Sequence, residues 1–208
     1  MMKRLLQLLV FSTSLAVARA QSVDVPLTYW TNDDWPNGLD MGVGRGVSFG
    51  DYDADGWPDL LTLLSGRLLR NDRGRTWQFA ADLTSFFPPP DPRYGCAFGD
   101  YDADGLPDIA TEPRGVGCFH LLRNLGSAMF EDVSLDPSIV DVPTCGPGAN
   151  SETYCWGDVD GDLDLDLFLP IYPEWAFNGI GNRFYRNLGP SGPGGAHRLQ
   201  EYTAQGGF

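Results

Sequence analysis

The chain of 208 residues carries 14 basic and 28 acidic side chains, a formal charge of −14. Such a surface repels phosphate backbones and anionic headgroups, so nucleic acid is excluded as an expected partner. No segment approaches the roughly 20 consecutive apolar residues of a membrane span, so the chain is expected not to be membrane-spanning.

Residues 1–20 read as a secretory signal peptide. Lys3 and Arg4 precede an apolar stretch from Leu5 to Val10, and Ala18-Arg19-Ala20 forms an A-x-A cleavage site before Gln21. The expected location is therefore secreted or extracellular, or periplasmic or cell-surface in a bacterium. Without Lys3, Arg4 and Arg19, 11 arginines face 28 acids, and the formal charge becomes −17. Thirteen of those acids sit in three short clusters. A scattered acidic surface implies solubility, whereas acids at fixed spacing imply a cation.

Residues 21–41, with Trp30 and Trp35, precede the first cluster and are read as the source of an extra strand. Three repeats follow, at 42–90, 91–145 and 146–208. Their leading segments read GVSFGDYDADGWPDLL from Gly46, GCAFGDYDADGLPDIA from Gly95 and YCWGDVDGDLDLDLF from Tyr154. Each cluster is followed by an Arg-Asn pair (Arg70-Asn71, Arg123-Asn124, Arg186-Asn187) and then by a short aromatic segment. The pattern in each unit is strand, acidic loop, strand, strand, Asn/Gly turn, strand. Prolines at 58, 88–90, 107, 143, 147 and 170 oppose long helices. Four strands in about 50 residues is one propeller blade, so the expected fold is all-β, with about three four-stranded antiparallel blades of a partial propeller. Three blades fall short of the four to eight of closed propellers, so a truncated or partial propeller and self-association to complete a ring are both open expectations.

The acidic loops are the candidate metal sites. Counting Asp51 as position 1, Asp53, Asp55 and Asp59 stand at positions 3, 5 and 9. Gly56 stands at the turn position 6, and Trp57 at position 7 offers its carbonyl. The second loop repeats this with Asp100, Asp102, Asp104, Asp108 and Gly105, and with Leu106 offering its carbonyl. Hard oxygen donors alternating through a tight loop suit Ca²⁺. The third loop supplies Asp158, Asp160, Asp162 and Asp166, but places Leu163 at position 6, where a positive φ strains a branched side chain. Gly161 and the extra Asp164 are expected to compensate. These loops are not EF-hands: position 12 holds Thr62, Thr111 or Leu169, and the flanks are β-like. Acidic Asx-turns that bind no ion are the plainer alternative.

Four cysteines, Cys96, Cys118, Cys145 and Cys155, are an even number in an oxidising compartment. Of the three pairings, Cys145–Cys155 is favoured because it closes a Gly/Pro-rich loop, and Cys96–Cys118 follows by elimination. Zinc is a poor alternative, with no C-x-x-C and only His120 and His197.

The Phe49-Gly50 and Phe98-Gly99 pairs with the D-x-D-x-D-G-x-x-D loops resemble the FG-GAP or VCBS-type repeat of the integrin α N-terminal propeller superfamily. The R-N-x-G and F-x-D-V elements are similar to the subgroup found in cartilage acidic protein and in many secreted bacterial proteins. The resemblance covers roughly residues 42–204. It implies Ca²⁺ that stiffens each blade, and a surface for adhesion or for recognition of a protein or carbohydrate. It does not imply one ligand.

No catalytic residues are expected. Gly46-Val47-Ser48-Phe49-Gly50 matches G-x-S-x-G, but that motif needs a strand leading into a helix, and here it leads into an acidic loop. His120 and His197 lack a paired nucleophile. The expected function is a non-catalytic, calcium-binding adhesion or recognition module. The alternatives are an accessory or remnant part of a secreted carbohydrate-active enzyme, in which Trp30, Trp35, Tyr172 and Trp175 could stack on sugars, or a purely structural repeat.

Overall fold

The computed structural model describes residues 46–63, 65–86, 93–113, 119–141, 150–151, 153–172, 182–191 and 195–202. The leader 1–20, the segment 21–41 with Trp30 and Trp35, Cys118, Cys145 and Trp175 lie outside the described residues. Each repeat folds as a four-strand meander. The first contains β1 (Val47–Gly50), β2 (Asp59–Thr62), β3 (Arg67–Asp72) and β4 (Thr76–Asp82), followed by a single 3₁₀ turn at Thr84–Phe86. The second contains β5 (Arg93–Gly99), β6 (Asp108–Pro113), β7 (His120–Asn124) and β8 (Phe130–Asp132). After the two-residue β9 (Asn150–Ser151), the third contains β10 (Cys155–Gly157), β11 (Asp166–Leu169), β13 (Arg183–Pro190) and β14 (His197–Glu201). Within it, β12 (Ile171–Tyr172) leaves the blade to pair with β9.

The described chain is therefore all-β, with three four-stranded antiparallel sheets of propeller type, as the repeat predicts. The acidic loops join the first two strands of each blade. The pairs Gly50↔Asp59, Gly99↔Asp108 and Gly157↔Asp166 close them. The first strands of the blades are neighbours, β1 beside β5 and β5 beside β10, so the blades are stacked by their inner strands.

Strand periodicity explains the packing. Successive side chains point to opposite faces, and the middle blade is covered on both. Ile109 and Leu122 turn toward the first blade and join Tyr52, Leu61, Leu63 and Leu68. Their immediate neighbours Ala110 and Leu121 turn the other way and join Tyr101, Phe119, Leu167 and Tyr185. Phe119 stacks on Tyr185 with ring centroids 5.9 Å apart. The two apolar clusters thus lie between consecutive blades, and each fully buried leucine contributes about 1.5–3 kcal/mol. The outer edge of the third blade is also covered. Residues after β8 return so that Val140 bridges Leu199 in parallel, and Arg198 pairs with Asp141 at 2.7 Å. Covered edges do not template unwanted strand pairing.

Cys96 and Cys155 carry free thiols, and their expected partners, Cys118 and Cys145, lie outside the described residues. Cys96 lies on β5 with its side chain against Ser48 of the preceding blade. Burial pushes its thiol up to about 12, and the Ser48 hydroxyl pulls slightly the other way. Cys155 lies exposed on β10. A strand fixes where each side chain points, and a Gly/Pro-rich spacing carries no such direction.

Candidate metal centres

Each loop gathers three carboxylates around one point: Asp51, Asp53 and Asp59; Asp100, Asp102 and Asp108; Asp158, Asp160 and Asp166. Within each group one oxygen per residue lies within 4.8 Å of the others. These are positions 1, 3 and 9, and a metal ion could be held at each group.

The position-1 aspartate builds the turn. Asp51 Oδ1 accepts from the Asp55 N–H at 3.0 Å and Oδ2 from the Gly56 N–H at 2.8 Å. Asp100 does the same for Asp104 and Gly105 at 3.0 and 2.9 Å, and Asp158 for Asp162 and Leu163 at 3.2 and 3.1 Å. This winding needs two left-handed residues, at positions 4 and 6. They are Ala54 and Gly56 (φ 55° and 90°), Ala103 and Gly105 (55° and 91°), and Gly161 and Leu163 (81° and 76°). The third loop therefore keeps the same path. It has moved its glycine from position 6 to position 4 and left Leu163 strained, with its side chain 88% exposed.

The position-9 aspartates are buried at the head of the second strand. Asp59 accepts from the Tyr52 N–H at 3.1 Å and the Asn71 N–H at 2.7 Å. Asp108 accepts from Tyr101 and Asn124 at 3.0 and 2.8 Å, and Asp166 from Val159 and Asn187 at 3.0 and 2.8 Å. Burial nevertheless dominates. It pushes Asp59 up to about 6 and Asp108 up to about 8, and it raises Asp166, the backbone hydrogen bonds opposing it in each case. A buried carboxylate whose charge is costly is stabilised by a cation beside it.

Positions 5 and 7 stand outside these groups. Asp55 accepts from the Trp57 N–H at 3.0 Å and Asp104 from the Leu106 N–H at 2.8 Å, closing Asx-turns. Asp164 occupies position 7, equivalent to Trp57 and Leu106. Its carboxylate lies 3.6 Å from His197 Nδ1, and it is not one of the three residues of the third group.

The Arg-Asn pairs are functional residues that sequence reasoning recorded without assigning a role. Arg70 spans Asp53 and Asp55 at 2.6 and 2.7 Å, and Arg186 pairs with Asp160 and reaches Asp162 at 3.9 Å. In the second blade Arg123 turns instead to Glu131 at 2.5 Å. Asp102 Oδ1 is then buried without a hydrogen-bond partner, and burial, followed by the charge of Asp104, raises its affinity for a proton. Among the described residues the second group is the one with which no arginine forms a direct ion pair, although the charges of Arg123 and His197 act on Asp102 from farther off. Its chemistry, oxygen-only and anionic, fits a hard divalent cation.

Each asparagine makes three kinds of bond. Its N–H holds the position-9 carboxylate, its Oδ1 accepts from the turn glycine, and its Nδ2 reaches carbonyls. Asn124 donates to Pro107 at 3.0 Å and, across the blade boundary, to Tyr52 at 2.8 Å. Asn187 donates likewise to Leu165 at 3.2 Å and to Tyr101 at 2.7 Å. Recurrence of the Arg-Asn pair after each cluster was the signal that marked them.

Ser48 lies inside β1, paired with Leu61, and β1 runs into the metal loop, so the G-x-S-x-G match is not a strand-to-helix elbow. His120 bonds Asp132 at 2.7 Å across β7 and β8. No known family model matches this chain, and no curated protein matches it.

Proposed function

We propose that this chain is an exported calcium-binding repeat module of the FG-GAP/VCBS kind, non-catalytic, serving adhesion or recognition of an extracellular protein or carbohydrate. The observation that carries the calcium reading is the threefold carboxylate group, with the buried, unpartnered Asp102 Oδ1 at its second occurrence. Calcium tolerates six to eight oxygens in irregular geometry, whereas magnesium demands a tight octahedron that three loop carboxylates do not supply alone. Export is supported by the leader pattern of residues 1–20.

Recognition is supported by a cleft of about 340 Å³ beside the first loop, between β3–β4 and the β7–β8 turn. Tyr52, Asp53, Arg70, Gln78, Phe79 and Ser127 line it, and Phe79 is 56% exposed. An exposed ring flanked by hydrogen-bonding side chains suits the apolar face and hydroxyls of a sugar.

The test is a thermal melt in EDTA, in millimolar Ca²⁺ and in millimolar Mg²⁺, with metal analysis of the purified protein. Extracellular modules bind calcium near 10⁻⁴–10⁻³ M, and ligand at about 100 Kd adds roughly 2.7 kcal/mol per site. A calcium-selective rise is expected. No rise, with no calcium in the protein, would overturn the reading. A glycan array probed in calcium and in EDTA then tests recognition.

A further inference from the structure

We infer that Glu131 sets the cation affinity of the second group by holding Arg123 away from it, an inference that rests on reading the three groups as calcium sites. Each blade carries the arginine of its Arg-Asn pair on its third strand. The residue opposite that arginine on the fourth strand differs between blades. Arg70 pairs in register with Gln78, Arg123 with Glu131 and Arg186 with Gln200. A glutamine offers no charge, and the arginines opposite the two glutamines turn to the acidic loop. Arg70 bridges Asp53 and Asp55 at 2.6 and 2.7 Å, and Arg186 pairs with Asp160 and stands 3.9 Å from Asp162. Glu131 is an anion directly across from its arginine, where opposite charges attract, and Arg123 turns to it at 2.5 Å.

The acidic loops themselves do not sort the arginines this way. Positions 3 and 5 are aspartate in all three: Asp53 and Asp55, Asp102 and Asp104, Asp160 and Asp162. Position 2 is Tyr52, Tyr101 or Val159, so a tyrosine accompanies both an arginine on the loop and an arginine off it. The consequence falls on position 3. Asp53 and Asp160 each carry an arginine, whereas Asp102 Oδ1 is buried with no hydrogen-bond partner. A cation entering the first or third group must take its carboxylate from a guanidinium or share it with one, and two cations on one carboxylate repel. A cation entering the second group meets an oxygen that is already free. The charge of Arg123 still reaches Asp102, but the Glu131 carboxylate beside it offsets much of that field. A unit charge several ångströms from a divalent ion in a water-like medium changes its binding about tenfold. The second group therefore fills first as calcium rises, and the other two follow at roughly tenfold higher concentration.

The experiment is a calorimetric titration of the whole chain with calcium alone. It is run near pH 9, where Asp108, which keeps its proton to about 8, no longer sets protons in competition with the ion. The wild type should fill one tight step and then two weaker ones, with Asp102→Asn removing the tight step. Glu131→Gln releases Arg123 onto the loop, so it should weaken the tight step about tenfold and leave the others unchanged. The Glu131 side chain is 52% exposed, so this near-isosteric change does not disturb the core. Adding Arg123→Met to Glu131→Gln should restore the tight step, a rescue that simple damage to β8 would not give. Gln78→Glu, also at an exposed position, should draw Arg70 off its loop and tighten one weak step about tenfold. Three equal steps in the wild type overturn the inference while leaving the calcium reading in place. So does a Glu131→Gln variant that binds as the wild type, or one that Arg123→Met does not rescue. No calcium uptake by the wild type overturns both.

Discussion

Replacing Asp102 by Asn should stabilise the protein in EDTA and destabilise it in calcium. In the metal-free protein Asp102 stands within 4.8 Å of like-charged oxygens on Asp100 and Asp108. Two unit charges at that distance repel by about 3.5 kcal/mol at an effective dielectric near 20, and by about 0.9 kcal/mol in a water-like medium. Asp102 is half-buried, and protonation of Asp108 removes part of one repulsion, so a relief of about 1–2 kcal/mol is expected. Asp102 Oδ1 has no hydrogen bond for the amide to lose. In saturating calcium the same change removes an anionic ligand, and the roughly 2.7 kcal/mol from that site at 100 Kd shrinks or vanishes. For a chain of this size each kcal/mol moves the melting point by about 2–4 °C, so both effects are resolvable by calorimetry. Asp53→Asn is the control. It also forfeits the Arg70 pair at 2.6 Å, so its gain in EDTA should be smaller. Equal signs for Asp102→Asn in EDTA and in calcium would refute the assignment of this group as a metal centre.

Stability of the metal-free protein should fall as pH rises from about 4 to about 8. Asp59 and Asp108 keep their protons to about 6 and about 8, whereas unfolded aspartate loses its proton near 3.9, so the native state holds more protons across this window. Denaturant midpoints measured in EDTA across the range check the slope, and calcium should flatten it by displacing those protons. Leu163→Gly should raise stability by about 0.5–1 kcal/mol, since it relieves a left-handed leucine whose exposed side chain packs little, and calorimetry with and without calcium reads it. Asn124→Ala should lower stability by about 3 kcal/mol, because it strips partners from Tyr52 O, Pro107 O and the Gly126 N–H. A loss no larger than that of the exposed Gln78→Ala in urea denaturation would contradict this.

The architecture was legible because the repeat carries it. Acid spacing, the Phe-Gly pair and the Arg-Asn pair recur in register, and strand order follows from their order. What the repeat does not encode is direction. Nothing in the repeat tells that β5 turns Cys96 toward Ser48 or that β10 leaves Cys155 exposed. Asp164 was read as an extra ligand from its place in an acidic run; what the run does not tell is that position 7 faces the glycine following the Arg-Asn pair of its own blade. A Cβ added at Gly74 would lie 3.5 Å from Trp57, one at Gly126 3.6 Å from Leu106, and one at Gly189 2.7 Å from Asp164. The substitution at position 6 was legible as strain, and so was the compensating glycine: Gly161 at position 4 takes a left-handed φ of 81° while Leu163 stays left-handed at 76°.

The position-9 carboxylates and the asparagines form one continuous line through the molecule. Asp59 takes the Tyr52 N–H, and the Tyr52 carbonyl takes Asn124 Nδ2. The Asn124 N–H binds Asp108, and Asp108 takes the Tyr101 N–H. The Tyr101 carbonyl then takes Asn187 Nδ2, and the Asn187 N–H binds Asp166. Asp108 and Asp166 are thereby oriented by the same asparagines that staple their blades to the one before. A cation at Asp108 favours the ionised carboxylate, which strengthens the charge-assisted bond from Asn124 and so fixes the donor that holds Tyr52. Tyr52 in turn presents its N–H to Asp59. Ion binding and blade stacking are therefore not separate contributions to stability. The first requires the asparagine to be in place, and the second is what places it, which is why an isolated acidic turn would not do the same work as one built into a stack.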